Sequence, residues 1–217
     1  MKSIFSYDSK LISLFSHIMD MLIVNLLYII CSLPVISIGS ANAALYTVGF
    51  QWANREDAGA KSFLKAFLSN LRQATIPWFL MLVIGLLMAY SAMLAYLNNL
   101  PGEPLFWIVF ALLLILYALV FAQLFLVCAK FSCSFRQTMK NALLIGLAHP
   151  ICTMASFLMI ALPGIVLYVQ TQLFLDMILV WFLIYFSIQG YLVALLCKKT
   201  YQRLEERFTA ASHSSQF

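Results

Sequence analysis

Long apolar runs separated by short polar connections dominate this chain. A helix needs about 20 mostly apolar residues to cross a bilayer, and several runs reach that length. The predicted membrane-spanning helices are residues 11–33, 37–54, 76–97, 105–128, 143–169 and 174–197, followed by a polar tail at 198–217. The pattern therefore predicts an all-α membrane protein, in which a bundle of six transmembrane helices forms a single domain.

The segment 37–54 is the weakest of the six, because it is rich in small residues and carries Asn42 and Gln51. Two interpretations are open for it. If the segment crosses the membrane, the chain has six spans and both termini lie on the same side. If it is re-entrant or interfacial, five spans remain and the N-terminus lies outside.

Composition supports a membrane protein of either kind. Of the 217 residues, 64% are hydrophobic and 10% are charged, and the mean hydropathy is +0.95. A soluble domain usually has about 25% charged residues, and a chain this short cannot bury such an apolar excess in a core. The lipid bilayer is therefore the expected surrounding.

The distribution of Lys and Arg predicts the topology. All of them fall in four clusters, at residues 2–10, 55–72, 130–140 and 198–207, and the connections near 98–104 and 170–173 contain none. Cytoplasmic loops concentrate Lys and Arg, so we expect both termini in the cytoplasm and 98–104 outside. This arrangement requires 37–54 to cross. Basic residues at the membrane surface also account for the net charge of +5 better than a nucleic-acid partner does.

Two of the predicted cytoplasmic connections resemble each other. Residues 63–75 and 131–143 match at a constant spacing of 68 residues, with phenylalanines four apart and a basic residue, an amide and an alanine in the same order. Side chains four apart share a helical face, which predicts two short amphipathic helices at the interface, here called the elbows, within a duplicated hairpin. The residues that we expect to meet a partner are Phe63, Phe67, Arg72, Gln73, Phe131, Phe135, Lys140 and Asn141. Simple anchoring in the interface is the alternative.

Five polar side chains fall within the apolar runs and are predicted to form one intramembrane layer: His17, Asp20, Gln123, His149 and Gln189. Asp20 lies about 13 Å into the first span at 1.5 Å per residue. A carboxylate at such a depth should face protein or water. Two roles remain open, a site that handles a proton or a solute, and a structural hydrogen-bond network between helices.

Small residues recur every four positions in the segment 37–54. Gly39, Ala43 and Thr47 follow this spacing, which lets helix backbones approach closely in a membrane. We therefore expect Gly39 and Ala43 at a tight contact between helices.

Motifs of enzymes are not found in the sequence. There is no H-E-x-x-H, G-x-S-x-G or Walker loop and no clustered metal ligands, so we expect no catalytic residues, no metal and no cofactor. The five cysteines include no C-x-x-C pair, and we expect them to be small apolar packing residues.

The stretch 20–78 is similar to the YesL family of bacterial membrane proteins, a family of unknown function found mainly in Gram-positive bacteria. The resemblance is carried by five short motifs and continues weakly through 138–142 (TMKNA) to the last span. The motifs are residues 25–27 (NLL), 31–34 (CSLP), 38–39 (IG), 44–46 (ALY) and 73–75 (QAT). Residues 54–57 (NRED) depart from the family pattern, where a longer basic stretch ending in Arg-Gly-Glu is expected. This leaves a detailed role for the first internal loop in doubt.

This resemblance implies a location in the bacterial plasma membrane and an association with carbohydrate use. Together with the residues above, it suggests a non-enzymatic accessory or assembly partner of a carbohydrate uptake system, with a sugar permease or its ATPase as the partner. A small-solute transporter or channel with Asp20 in its pathway is the alternative. A water-filled cavity that reaches Asp20 would favour that alternative, and a packed interior would favour the accessory role.

Overall fold

A computed structural model describes the backbone of residues 2–97 and 104–214 and the side chains of residues 15–97 and 104–206. The predicted external connection at 98–103 and the side chains of Lys2 and Lys10 lie outside these described residues. Within them the chain is helical and contains no strand. The predicted all-α membrane fold is confirmed.

The helices follow one another with short connections. They are α1 (Lys2–Ser32), a 3₁₀ turn (Val35–Ser37), α2 (Ile38–Ala53), α3 (Ala60–Leu97), α4 (Pro104–Lys130), α5 (Phe135–Ala148), α6 (Pro150–Val169), α7 (Thr171–Asp176), α8 (Ile178–Val180), a π-helical turn (Trp181–Tyr185) and α9 (Phe186–Ser214).

Five segments are long and apolar enough to cross a membrane. They are Phe15–Ser32, Ala60–Leu97, Pro104–Lys130, Pro150–Val169 and Ile178–Glu206. The helix α2 has only 16 residues, or about 24 Å at 1.5 Å per residue, which is shorter than a hydrocarbon core of about 30 Å. The predicted sixth span is thus present as a helix, but it is shorter than the other five.

The helix α2 lies at the centre of the protein. It packs against α1, α3, α4 and α9, and most of its residues are buried. Small side chains allow this position, since a Cβ on Gly39 would lie 2.6 Å from the Ala74 carbonyl oxygen of α3. A Cβ on Gly49 would likewise strike the backbone carbonyl of Gly190 in α9. The apolar character of α2 therefore serves contacts between helices rather than contacts with lipid.

The two elbows differ in structure. The first is not a separate short helix, because α3 runs without interruption over 38 residues. The second is α5, which ends at Ala148, so the predicted span 143–169 is divided. Pro150 begins α6 after His149, and proline is favoured at the first position of a helix. By contrast, α6 continues through Pro163.

The predicted cytoplasmic tail at 198–217 begins as part of a helix. The helix α9 continues without a break to Ser214, and Tyr201 is fully buried. Lys198 Nζ donates a hydrogen bond of 2.8 Å to the carbonyl oxygen of Ala53, and Lys130 forms an ion pair of 3.2 Å with Glu205. The polar end of α9 is therefore part of the packed structure, and it lies beside the ends of α2 and α4.

A disulfide joins Cys152 of α6 to Cys197 of α9, with 5.3 Å between the two Cα atoms. The expectation that all five cysteines are packing residues is therefore wrong for this pair. The two residues are 45 positions apart, and only the packing of α6 along α9 brings them together.

Candidate functional site

The predicted intramembrane layer of five polar residues is not assembled as one site. Among the described side chains, no hydrogen bond joins Asp20 to Gln123, His149 or Gln189. Asp20 is half-buried and lies against the loop before α3, because a Cβ on Gly59 would sit 2.8 Å from its Oδ1 atom. The carboxylate therefore faces a connection between helices rather than a polar layer shared by all five residues.

His17 lies near Asp20 but in an aromatic environment. Its ring is 5.5 Å from the ring of Trp52 and 6.4 Å from that of Tyr191, edge-on in both cases. The Trp52 indole donates a hydrogen bond of 2.8 Å to the carbonyl oxygen of Ala58. These contacts tie α1, α2, α9 and the 54–59 loop together, and none of them forms an acid–base pair with Asp20.

Gln123 is the centre of a separate buried network. Its Nε2 donates to Thr153 Oγ1 at 2.9 Å, and its Oε1 accepts a hydrogen bond of 2.7 Å from Tyr201. The single hydroxyl hydrogen of Thr153 is in turn shared between the carbonyl oxygens of Gly146 and His149, each 3.1 Å from Oγ1. Both polar atoms of the Gln123 amide thus have protein partners, which fits the structural role that the sequence left open.

The two remaining members occupy other positions. Gln189 is buried in α9 beside the hydroxyl of Tyr46. His149 is half-buried at the break between α5 and α6, where its carbonyl oxygen accepts hydrogen bonds from Thr153. His149 meets the Gln123 network only through its backbone.

A second polar network holds α1 against the π-helical turn and the start of α9. Asn25 is buried and donates to the carbonyl oxygen of Phe182, while its Oδ1 accepts from the Ser187 amide at 3.1 Å. Ser187 Oγ donates to the carbonyl oxygen of Met21 at 2.8 Å. Ser187 could not be singled out from the sequence, since an isolated serine in an apolar run has no distinctive spacing.

The two elbows, in contrast, are brought together. Gln73 of α3 donates a hydrogen bond of 2.6 Å to the carbonyl oxygen of Phe131. Asn141, which occupies the equivalent place in the second elbow, donates at 3.9 Å to Cys133 Sγ. Burial raises the pKa of the Cys133 thiol. Both amides therefore fix the short connection between α4 and α5.

The phenylalanines of the elbows do not all face outward. Phe63 is fully buried and stacks on the partly buried Phe67, with ring centroids 6.4 Å apart. Phe131 stacks on Tyr201 at 6.1 Å, whereas Phe135 is 38% exposed. Phe63 is thus a core residue, and a partner cannot reach its ring in this structure.

Arg72 and Lys140 are exposed, each next to the amide that fixes the connection between α4 and α5. Of the elbow residues that were predicted to meet a partner, the exposed ones are therefore Arg72, Phe135 and Lys140.

An open polar cleft of about 480 Å³ lies between the first elbow, α2 and the end of α4, and is here called the elbow cleft. Its lining includes Gln51, Lys65, Asn70, Gln73, Lys130 and Ser132. Sequence reasoning predicted a role for Gln73 in this set, but it gave no reason to single out the others. Lys65, Ser69 and Gln73 recur every four residues, a spacing that places them on one face of a helix and could have suggested a shared role.

The described His, Cys, Asp and Glu side chains include no group of three that could hold a metal ion. Among the polar sites of the described residues, the elbow cleft is open, whereas the Gln123 network is closed and both polar atoms of its amide are hydrogen-bonded.

The family described as "Protein of unknown function, DUF624" matches residues 21–92. This region covers the C-terminal part of α1 from residue 21, the whole of α2 and most of α3, and it includes the first elbow. The chain matches no curated protein and no solved structure.

Proposed function

We propose that the protein is a YesL-type protein of the bacterial plasma membrane, a non-enzymatic accessory or assembly partner of a carbohydrate uptake system. The observation that carries the proposal is the meeting of the two elbows at one end of the bundle, with exposed Arg72 and Lys140 beside amides that hold the same connection. A basic surface formed where two segments meet is suited to docking a helix of a permease or its ATPase. The link to carbohydrate uptake rests on the family resemblance alone.

The interior favours this role over a transporter. Gln123 and Asn25 are buried with both amide atoms hydrogen-bonded to protein groups, and Asp20 lies against the 54–59 loop, apart from them. A pathway for a solute would need polar groups that turn toward a common space. A packed interior, with exposed polar residues at the elbows, is what we expect for a protein that acts by binding another protein.

We expect charge reversal at Arg72 and Lys140 (Arg72→Glu with Lys140→Glu) to abolish co-purification with a sugar permease or its ATPase. The attraction between these two residues and opposite charges on the partner would then become a repulsion. Both side chains are exposed, so the fold is kept. The measurement is affinity purification in mild detergent with identification of the captured proteins by mass spectrometry.

A matched control reverses two other exposed basic residues, Lys199 and Arg203 of α9, with the same change of charge. The control should keep the partner, and both variants should insert into the membrane normally. If the Arg72/Lys140 variant still captures the same permease or ATPase, the elbows act only as membrane anchors.

The proposed topology has both termini in the cytoplasm, as the one-sided distribution of Lys and Arg favours. The contacts Lys198–Ala53 and Lys130–Glu205 support it, because they bring basic residues of two clusters to the end of α2, just before the cluster at 55–72. Since α2 is short, it would cross only with local thinning of the bilayer or as a segment enclosed by its neighbours.

Labelling of single introduced cysteines tests this topology. A membrane-impermeant maleimide added to intact cells should modify Asn99→Cys, which lies outside the described residues, and should spare Ser212→Cys. The parent protein provides the background from its native thiols. Modification of Ser212→Cys from outside would show that the C-terminus is external.

A further inference from the structure

We propose that the elbow cleft binds a phosphate ester that carries hydroxyl groups. The cleft, at about 480 Å³, is within the usual range of small-molecule sites. Lys65 and Lys130 line it, and its lining contains no Asp or Glu. A cleft with two cations and no carboxylate creates a positive potential that attracts an anion.

Lys65 is the cation available to such an anion. It is exposed and has no carboxylate partner within 4.0 Å among the described side chains. Lys130 is more constrained, because it pairs with Glu205 at 3.2 Å and lies 5.2 Å above the ring of Phe50. Lysine ammonium groups are common ligands of phosphate, so Lys65 would make the main charge contact and Lys130 would add to the field.

The amides that line the cleft favour hydroxyl groups on the same ligand. Asn70 Nδ2 donates to the carbonyl oxygen of Ala66 and Gln73 Nε2 to that of Phe131. One of the two hydrogens on each amide nitrogen is therefore used within the protein, and the amide oxygens are left to accept hydrogen bonds. Gln51 Oε1 is buried without a hydrogen-bond partner in the described part of the chain, and rotation about the broad terminal torsion of the side chain can turn it toward the cleft.

The lysines and the amides of the lining together select a class of ligand. An acceptor oxygen does not bind phosphate, but it does bind the hydrogen of a hydroxyl group. The cations would hold the phosphate, while Asn70, Gln73 and Gln51 would accept from hydroxyls. Two sources share this chemistry, a soluble sugar phosphate and the headgroup of phosphatidylglycerol.

Binding is tested on purified protein without any partner, so the result is independent of partner capture. Isothermal titration in detergent would compare glucose 6-phosphate, inorganic phosphate and glucose. Thermal unfolding in nanodiscs would compare phosphatidylglycerol with phosphatidylcholine. We expect Lys65→Met to weaken binding of the preferred probe by at least about tenfold, as for loss of a hydrogen bond to a charged group. The matched control is Lys61→Met, an equally exposed lysine one turn earlier that does not line the cleft.

The titration and the nanodisc measurements distinguish a soluble ester from a lipid headgroup. Tighter binding of glucose 6-phosphate than of phosphate or glucose, lost in Lys65→Met, supports a soluble ester. A rise in melting temperature with phosphatidylglycerol alone, also lost in Lys65→Met, supports the headgroup. The proposal is overturned if no probe saturates below about 10 mM and no lipid stabilises the protein. Equal weakening by Lys61→Met and Lys65→Met overturns it as well, since the attraction would then be non-specific.

Discussion

We expect Gly39→Leu to lower the ratio of folded to unfolded protein by about a hundredfold or more, and so to reduce the yield of folded protein. The glycine lies where a Cβ would be 2.6 Å from both the Ala74 carbonyl oxygen and the Cβ of Trp78. The Ala74 oxygen belongs to the backbone of α3, so the helices must separate to admit a larger side chain. Overpacking costs up to about 3 kcal/mol or more in such positions, and each 1.4 kcal/mol is about tenfold in population.

Gly164→Leu is the matched control, since nothing lies within 4 Å of the position of its Cβ. The same change of residue in α6 should leave the monodisperse peak in size-exclusion chromatography and the melting temperature in detergent nearly unchanged. Wild-type behaviour of Gly39→Leu would show that the close contact between α2 and α3 does not exist.

Gln123→Leu is expected to destabilise the protein by about 1–3 kcal/mol, because it removes the acceptor of a buried hydroxyl. Tyr201 is fully buried, and its hydroxyl donates to Gln123 Oε1 at 2.7 Å. Leucine is similar in size to glutamine, so the loss would come from the unpaired hydroxyl rather than from a cavity. The measurement is the melting temperature and the midpoint of chemical denaturation in detergent.

The double variant Gln123→Leu with Tyr201→Phe separates this cause from poor packing. When both partners are removed, no buried hydroxyl is left without an acceptor, and such a double replacement is close to neutral in other proteins. The double variant should therefore be more stable than Gln123→Leu alone. Strictly additive losses from the two single changes would contradict a direct hydrogen bond between these side chains.

Membrane residence and the main helices could be predicted from the sequence, because the length and apolar character of a spanning helix are local properties of the chain. The runs at 105–128 and 76–97 correspond closely to helical stretches of α4 and α3. Local chemistry also explains the end of α1 before Pro34 and the start of α6 at Pro150. The small-residue spacing at Gly39 and Ala43 similarly indicated a close contact, although not its partner.

The tertiary structure alone decided which polar residues meet. The sequence shows how deep a residue lies along its helix, and by that measure it did not distinguish Gln123, Asp20 and Gln189. The direction that each side chain faces depends instead on how the helices pack. Asp20 consequently faces Gly59, while Gln123 binds Tyr201, a residue of the supposed tail.

The same reason explains the cysteines, the elbows and the cleft. Cys152 and Cys197 meet only because α6 lies along α9, and Phe63 is buried although its spacing matches an amphipathic surface helix. The elbow cleft joins Lys65 to Lys130 across 65 positions of sequence. The sequence determines which segments are helices and which of their faces are apolar. Contacts between distant segments depend on which of these faces pack against each other in the folded protein.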